Sequence, residues 1–176
     1  YILFGDEASF PQWGSLTYTW AKKGQQPIVQ TSGIRKGYKV FGLIDYFSGR
    51  FFCRGHEKGR LNSESYEAFL TEVLSKTRKH IILIQDGARY HTSKAMKNFF
   101  DRKAYRLTVY DLPSYSPDYN PIEKLWKKIK EKEIHLQYFP TFDLLKNKVQ
   151  EALLHFQNLK NEVLSLFGFY NKLAVE

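Results

Sequence analysis

The chain has 176 residues, 43% hydrophobic and 16% aromatic, enough apolar side chain for one substantial core and too much for a disordered segment. Its 27 Lys and Arg against 18 Asp and Glu leave a formal charge of +9, which favours an anionic partner such as nucleic acid, although a basic balance is also common on ordinary globular proteins. A lone Cys53 excludes an intrachain disulfide and favours an intracellular setting, and no apolar run reaches the ~18 to 20 residues that span a bilayer.

In chain order, YILFGD (1 to 6) is an apolar run that ends in Asp6. It opens without a Met and is already strand-like, as expected of a piece of a longer protein. Residues 39 to 56 read as two strands turning around Ser48 and Gly49. Residues 63 to 76 place Tyr66, Phe69, Leu70, Val73 and Leu74 at helical spacing, with Ser63 as the expected cap and Tyr66 where a capping box would want Glu. The run 81 to 85 predicts a short strand, dry on both faces, that delivers Asp86 at its end. A helix is expected from about Thr92 to Arg102 and a strand over 105 to 112. Three prolines in PSYSPDYNP (113 to 121) exclude regular structure, after which helices are expected from Asn120 to about Glu133 and over 142 to 156. A hairpin followed by β-α-β-α units implies an α/β fold, a mixed sheet flanked by helices, as one domain over 1 to 176 with C-terminal helices from about 141.

Open α/β sheets carry their working residues at strand ends, and Asp6 and Asp86 both follow apolar runs. Brought together in a low dielectric, two carboxylates repel until one takes up a proton or a cation sits between them. For either Asp alone a turn or cap role is the commoner reading. Asp45 also ends an apolar run and is read as a turn residue, because Ser48 and Gly49 follow at once. Glu123 stands three residues into a helix begun by Asn120 and Pro121; a capping box and a metal ligand both fit that position, and Asp118 in the preceding loop is the competing ligand.

The segments GDEASF, QDGARYHTS and LPSYSPDYNPIEKLWKKIK, in that order, resemble the catalytic domain of DDE transposases of the Tc/mariner superfamily, its bacterial insertion-sequence branch in particular. The first motif of that family is an apolar strand ending in Asp-Glu. The second is a strand followed by Asp-x-Ala-x-x-His, and the third a Ser-Pro-x-x-Asn-Pro-Ile-Glu helix start. TWAKKGQQP (19 to 27) is similar to the family's Trp-x-x-x-Gly-x-x-Pro stretch. The 36 residues between Asp86 and Glu123 slightly exceed the spacing of many members, an excess that the stretch 101 to 119 can absorb.

The resemblance implies a ribonuclease H-like fold and a catalytic, metal-holding triad of Asp6, Asp86 and Glu123. It implies Mg²⁺, with Mn²⁺ as the substitute, because carboxylate oxygens are hard ligands and no Cys or His cluster suggests zinc. Two ions roughly 3.5 to 4 Å apart would activate the attacking oxygen and stabilise the leaving 3′ oxygen, water cutting a strand and a freed 3′-hydroxyl joining it to target DNA. Double-stranded DNA (transposon ends and a TA target), a homodimer, no membrane and a prokaryotic cytoplasm are implied likewise. The helix-turn-helix DNA-binding region that precedes this domain in the family is absent before Tyr1, so recognition of specific ends is expected to lie outside this chain. A ribonuclease H-like nuclease that only cleaves is the alternative; a non-catalytic DNA-binding descendant is disfavoured by three acids kept in a basic chain.

Other residues are weaker candidates. His91 fits a place near the metal or the scissile phosphate, and also a locally bonded helix-start histidine. Glu7 is expected to point away from Asp6. Asn120 is read as a cap, and Lys124, Lys127, Lys128 and Lys130 as a face that is either phosphate-binding or simply solvated. Trp126 is expected in the core, while Trp13 and Trp20 fit base stacking or hairpin filling equally.

Overall fold

A computed structural model describes residues 1–13, 19–25, 27–56, 60–113 and 117–168. Five strands form one sheet in the order β3-β2-β1-β4-β5: β1 (Ile2–Pro11), β2 (Gly37–Asp45), β3 (Phe51–His56), β4 (Ile81–Gln85) and β5 (Leu107–Asp111). The first three pair antiparallel and β1-β4-β5 pair parallel, giving the mixed sheet expected from the element order. The helices are α1 (Ser63–Ser75), α2 (Lys94–Lys103), α3 (Pro121–Ile129), α4 (Phe142–Asn158) and α5 (Lys160–Ser165), with a 3₁₀ turn at Pro117–Tyr119 and a π turn at Lys130–Ile134 continuing α3. Among the described residues no helix is long and apolar enough to cross a membrane.

The period-two alternation of the strands assigns each face its own core. Tyr38, Val40 and Ile44 join Ala8, Phe10 and Phe51 under α3, α4 and α5, whereas Phe41 and Leu43 join Leu3, Ile81, Leu83 and Leu107 under α1 and α2. α3 and α4 pack over β1, β2 and β3, but not over the parallel half of the sheet. β4 is therefore dry on its α1/α2 face only: Ile81, Leu83 and Gln85 are buried, while Ile82 and Ile84 on the other face are half-buried. That corrects the expectation of a strand dry on both sides, and the exposed side opens beside α3.

Several local expectations shift by a residue or more. β1 does not stop at Asp6, because its antiparallel pairing with β2 continues to Pro11↔Gly37; only the parallel pairing with β4 stops, at Phe4↔Ile84. Asn62, not Ser63, caps α1, accepting from Ser65 N–H while Ser65 Oγ accepts from Asn62 N–H, a complete capping box. α2 starts at Lys94 behind Ser93, whose hydroxyl accepts from Met96 N–H. The β2–β3 turn forms at the expected place, with Asp45 accepting from Ser48 N–H and Gly49 at φ +64°. Ser114, Tyr115 and Ser116 of the proline loop and Gln26 of the Trp-containing stretch lie outside the described residues.

Candidate active site

Asp6 lies two residues beyond the last β1–β4 pair, and so does Asp86, since Phe4 pairs with Ile84. The two side chains therefore emerge where the strands part. Across from Asp6 on β2 is Gly42, and a Cβ built there would come within 2.5 Å of the Trp126 ring and 3.0 Å of Ile122. The missing side chain lets α3 lie directly on the sheet. Trp126, fully buried against Phe10 and Phe51, and Ile122 hold it there, so the expectation of a core tryptophan is met.

Asn120 occupies the N-cap position of α3 but makes no capping bond. Its buried amide instead donates to the Gly5 carbonyl at 3.0 Å, tying the helix start to the strand residue before Asp6. Glu123 makes no capping box either, and its first-turn carboxyl is left for the crevice. Asp118 sits exposed in the 3₁₀ turn.

The acids feel one another's charge. Burial, then the charges of Glu123, Glu7 and Asp86, push the Asp6 carboxyl up to about 8. The Glu123 pKa is raised by burial and by Asp86, while Lys130 and a hydrogen bond with Asp6 oppose the rise. Asp86 and Glu123 both raise Asp6, and Asp86 raises Glu123, whereas Asp86 itself is held low by His91. Carboxylate oxygens are the donors of a hard divalent cation, so these residue types fit the metal the resemblance implies, although among the described residues Asp86 groups within 4.8 Å with Glu7 and His91 rather than with Asp6 and Glu123.

Glu7 points to the opposite face of β1, as expected, yet it is not idle there. Burial raises it to about 7, with His91 pulling down and Asp86 pushing up. His91, just 2% exposed, places Nδ1 3.0 Å from the Asp86 carbonyl oxygen and 3.1 Å from its carboxylate. That bond lowers the Asp86 pKa, and burial of His91 is outweighed by Asp86 and Glu7, so the His91 pKa is raised. Tyr66 covers the imidazole at 4.3 Å between ring centroids and donates to Gln85 at 2.6 Å. The His91 side chain is locally bonded, but to Asp86 rather than to a helix start. Sequence reasoning undervalued Glu7; the available signal was a charged residue inside a strand covered on both faces.

The lysine face of α3 is largely paired. Lys128 and Lys132 meet Glu162, Lys127 meets Glu131, Lys124 donates to the Leu166 carbonyl, and Lys130 lies toward Phe10 and Glu123. Trp13 and Trp20 are exposed, which removes hairpin filling as their role.

A family model described as DDE superfamily endonuclease matches residues 1–146. The Tc3 transposase of Caenorhabditis elegans is 28% identical over 160 residues, covering 86% of this chain and 48% of that protein. The insertion element IS630 uncharacterized 39 kDa protein of Shigella sonnei is 26% identical over 133 residues, covering 73% and 37%. The chain spans about half or less of the length of these relatives. Among solved structures, the Mos1 mariner paired end complex with Mn superposes with a TM-score of 0.68 at 16% identity, over 95% of this chain and 53% of that one. The catalytic domain of Mos1 mariner transposase gives 0.55 at 15% identity, over 93% and 80%. Likeness at that identity speaks for the fold, which is ribonuclease H-like. The match running through all three acidic segments makes the conclusion plain: this chain belongs to the DDE superfamily of endonucleases.

Proposed function

We propose that this domain cuts DNA strands and joins the freed 3′ ends to target DNA, the chemistry of cut-and-paste transposition, with Asp6, Asp86 and Glu123 as its catalytic carboxylates. The observation that carries the reading is the placement of Asp6 and Asp86 two residues past the last β1–β4 pair, with Glu123 in the first turn of α3 close enough for its charge to raise Asp6. Double-stranded DNA is the partner, its phosphates attracted by the +9 chain, and two copies act together to hold two transposon ends.

Asp6, Asp86 and Glu123 would hold Mg²⁺, or Mn²⁺ in its place. Bound there, the metal supplies a water acidic enough to attack at neutral pH and offsets charge on the leaving 3′ oxygen. The protein's own residues set the geometry. Asn120 anchors the first turn of α3 to the Gly5 carbonyl and so fixes Glu123 against Asp6, while His91 holds the Asp86 carboxylate from behind. Lys130, close enough to lower the Glu123 pKa, adds positive potential where a phosphate would approach.

The test measures strand cleavage, strand joining and thermal melting on Glu123→Gln, in the protein that also carries its end-recognition region, with Mg²⁺ present. Cleavage is expected to fall by at least about 10³-fold, some 4 kcal/mol of transition-state stabilisation, with melting nearly unchanged because this side chain does not cap the helix and Gln can still accept from Asp6. Cleavage at the unsubstituted rate would remove Glu123 from the site and point to Asp118. Cleavage without joining in the unsubstituted protein would make it a nuclease only.

A further inference from the structure

Many basic side chains have an acid beside them: Lys128 and Lys132 meet Glu162, Arg54 meets Glu72 and Arg102 meets Glu67. Lys39, His56, Arg60, Arg89, Lys94 and Lys97 differ, since among the described residues their side chains pair with no acid and make no hydrogen bond. They are also neighbours. Lys39 stands between Tyr38 and Val40 of the α3-side core, so strand alternation puts it on the α1/α2 face together with its cross-strand partners Ser9 and His56. Lys39 and Arg60 line one cleft of about 370 Å³, and His56 lines another of about 310 Å³ beside Asn62 at the start of α1. Glu7 and Glu64, the acids lining these clefts, ion-pair with none of the six.

The start of α1 is tied in turn to that of α2. The Ser63 hydroxyl donates to the Tyr90 carbonyl at 3.0 Å and lies 2.8 Å from the hydroxyl of Ser93, the cap of α2, with Arg89 and Lys94 on either side of that joint. α2 has no acid in its first turn, and Lys94 and Lys97 stand three positions apart where the helix dipole favours anions. Such an arrangement repels itself and is relieved by negative charge from outside. Both ends of the belt begin at the catalytic crevice: Ser9, opposite Lys39, is three residues past Asp6, and Arg89 is three residues past Asp86.

We propose that this belt grips the backbone phosphates of the DNA duplex that enters the crevice, holding it without reading its sequence. Three lysines and two arginines set side by side make a path for anions, and a polymer with one charge about every 1.7 Å can meet them all at once. Contacts of this kind position a duplex and carry no sequence information. The inference deepens the transposition reading, on which it rests for the choice of DNA over other polyanions.

Anisotropy of a labelled duplex of mixed sequence, titrated with the chain at several salt concentrations, tests it. Arg60→Gln with Lys94→Gln and Lys97→Gln removes three charges from the belt. Lys127→Gln with Lys128→Gln and Lys132→Gln removes three that acids already meet, and serves as the control. The belt variant is expected to bind about tenfold or more less tightly at moderate salt, with the slope of log affinity against log salt smaller by roughly 2 to 3, while the control stays close to the unsubstituted chain. Melting temperatures check that both are folded. Should the triple belt variant fail to fold, Arg60→Gln and Lys97→Gln taken singly repeat the test, each lowering the slope by about 1. Equal losses in belt and control variants would mean that the duplex feels net charge only, and would overturn the proposal. A belt variant that binds like the unsubstituted chain, or an unsubstituted chain that binds no duplex, overturns it as well. The transposition reading fails separately: a protein with its end-recognition region that holds the duplex through the belt but never cuts it keeps the belt and loses the reading.

Discussion

Asp6 and Glu7 are neighbours in the chain and open onto opposite faces of β1, and their surroundings differ in kind. On the α1/α2 face Glu7 meets a histidine that can answer its charge, beneath the Tyr66 ring and beside a core closed by Leu3, Leu83 and Phe41. On the α3 face Asp6 meets another acid, Glu123, with Lys130 as the cation felt there and a half-covered β4 beside it. The first environment can balance itself with a proton. The second holds an excess of negative charge that the protein leaves uncompensated, and an open crevice through which a substrate can reach it. A site for metal-dependent phosphate chemistry needs the second kind of environment, and the two helices covering only the antiparallel half of the sheet create it.

The largest effect that would sharpen this contrast is on catalysis. Asp6→Asn should abolish Mg²⁺-dependent cleavage, by about 10³-fold or more, yet raise the melting temperature measured in chelator, because an amide is buried beside Glu123 without having to take up a proton. A melting temperature that drops by several degrees would mean that Asp6 is structural and would break the comparison.

A smaller effect is expected from the packing that brings α3 to Asp6. Gly42→Ala drives a methyl into the Trp126 ring and should cost about 1 to 3 kcal/mol in chemical denaturation, with cleavage reduced because Glu123 rides on the displaced helix. Gly5→Ala, one position before Asp6, should cost distinctly less. The methyl there meets the end of the flexible Leu43 side chain, which can turn aside. Equal costs at the two glycines would show that α3 is not held by the Gly42 contact.

The smallest effect is a pH dependence of stability in chelator. Asp6 near 8 and Glu7 near 7 lie above their ordinary 3.8 and 4.5, so the folded state binds more protons than the unfolded chain between about pH 4 and 8, and stability falls as pH rises through that window. The raised His91 pKa acts in the same direction, since its contribution is complete below its ordinary value and is lost as pH rises. The lowered Asp86 pKa works oppositely, but only as pH falls below about 4. Melting temperatures recorded from pH 5 to 8 with and without Mg²⁺ check this. The decline should flatten when the ion is present, and a melting temperature that rises with pH in chelator would contradict the crowding of acids.

Much of the molecule was legible in the sequence because it rests on local pattern. Short apolar runs gave the strands, Tyr66 to Leu74 the first helix, and Ser48 and Gly49 the hairpin turn, each through a pattern that acts over a few residues. The acids themselves stood out for a similar reason: Asp6 and Asp86 interrupt apolar runs, and Glu123 follows an Asn-Pro helix start. What spacing could not decide is how far a strand runs once a partner pairs with it. β1 continues to Pro11 because β2 hydrogen-bonds along its whole length, and the working end of the strand is set by where β4 leaves it. The roles of Asn120 and Gly42 were equally hidden. A cap and a linking glycine look alike in any sequence, and only the approach of a helix that begins 79 positions after Gly42 turns them into the anchor and the seat of α3. Glu7 joined His91 for the same reason: strand alternation fixes the face on which a side chain emerges, but what waits on that face is decided by the packing of the elements above it.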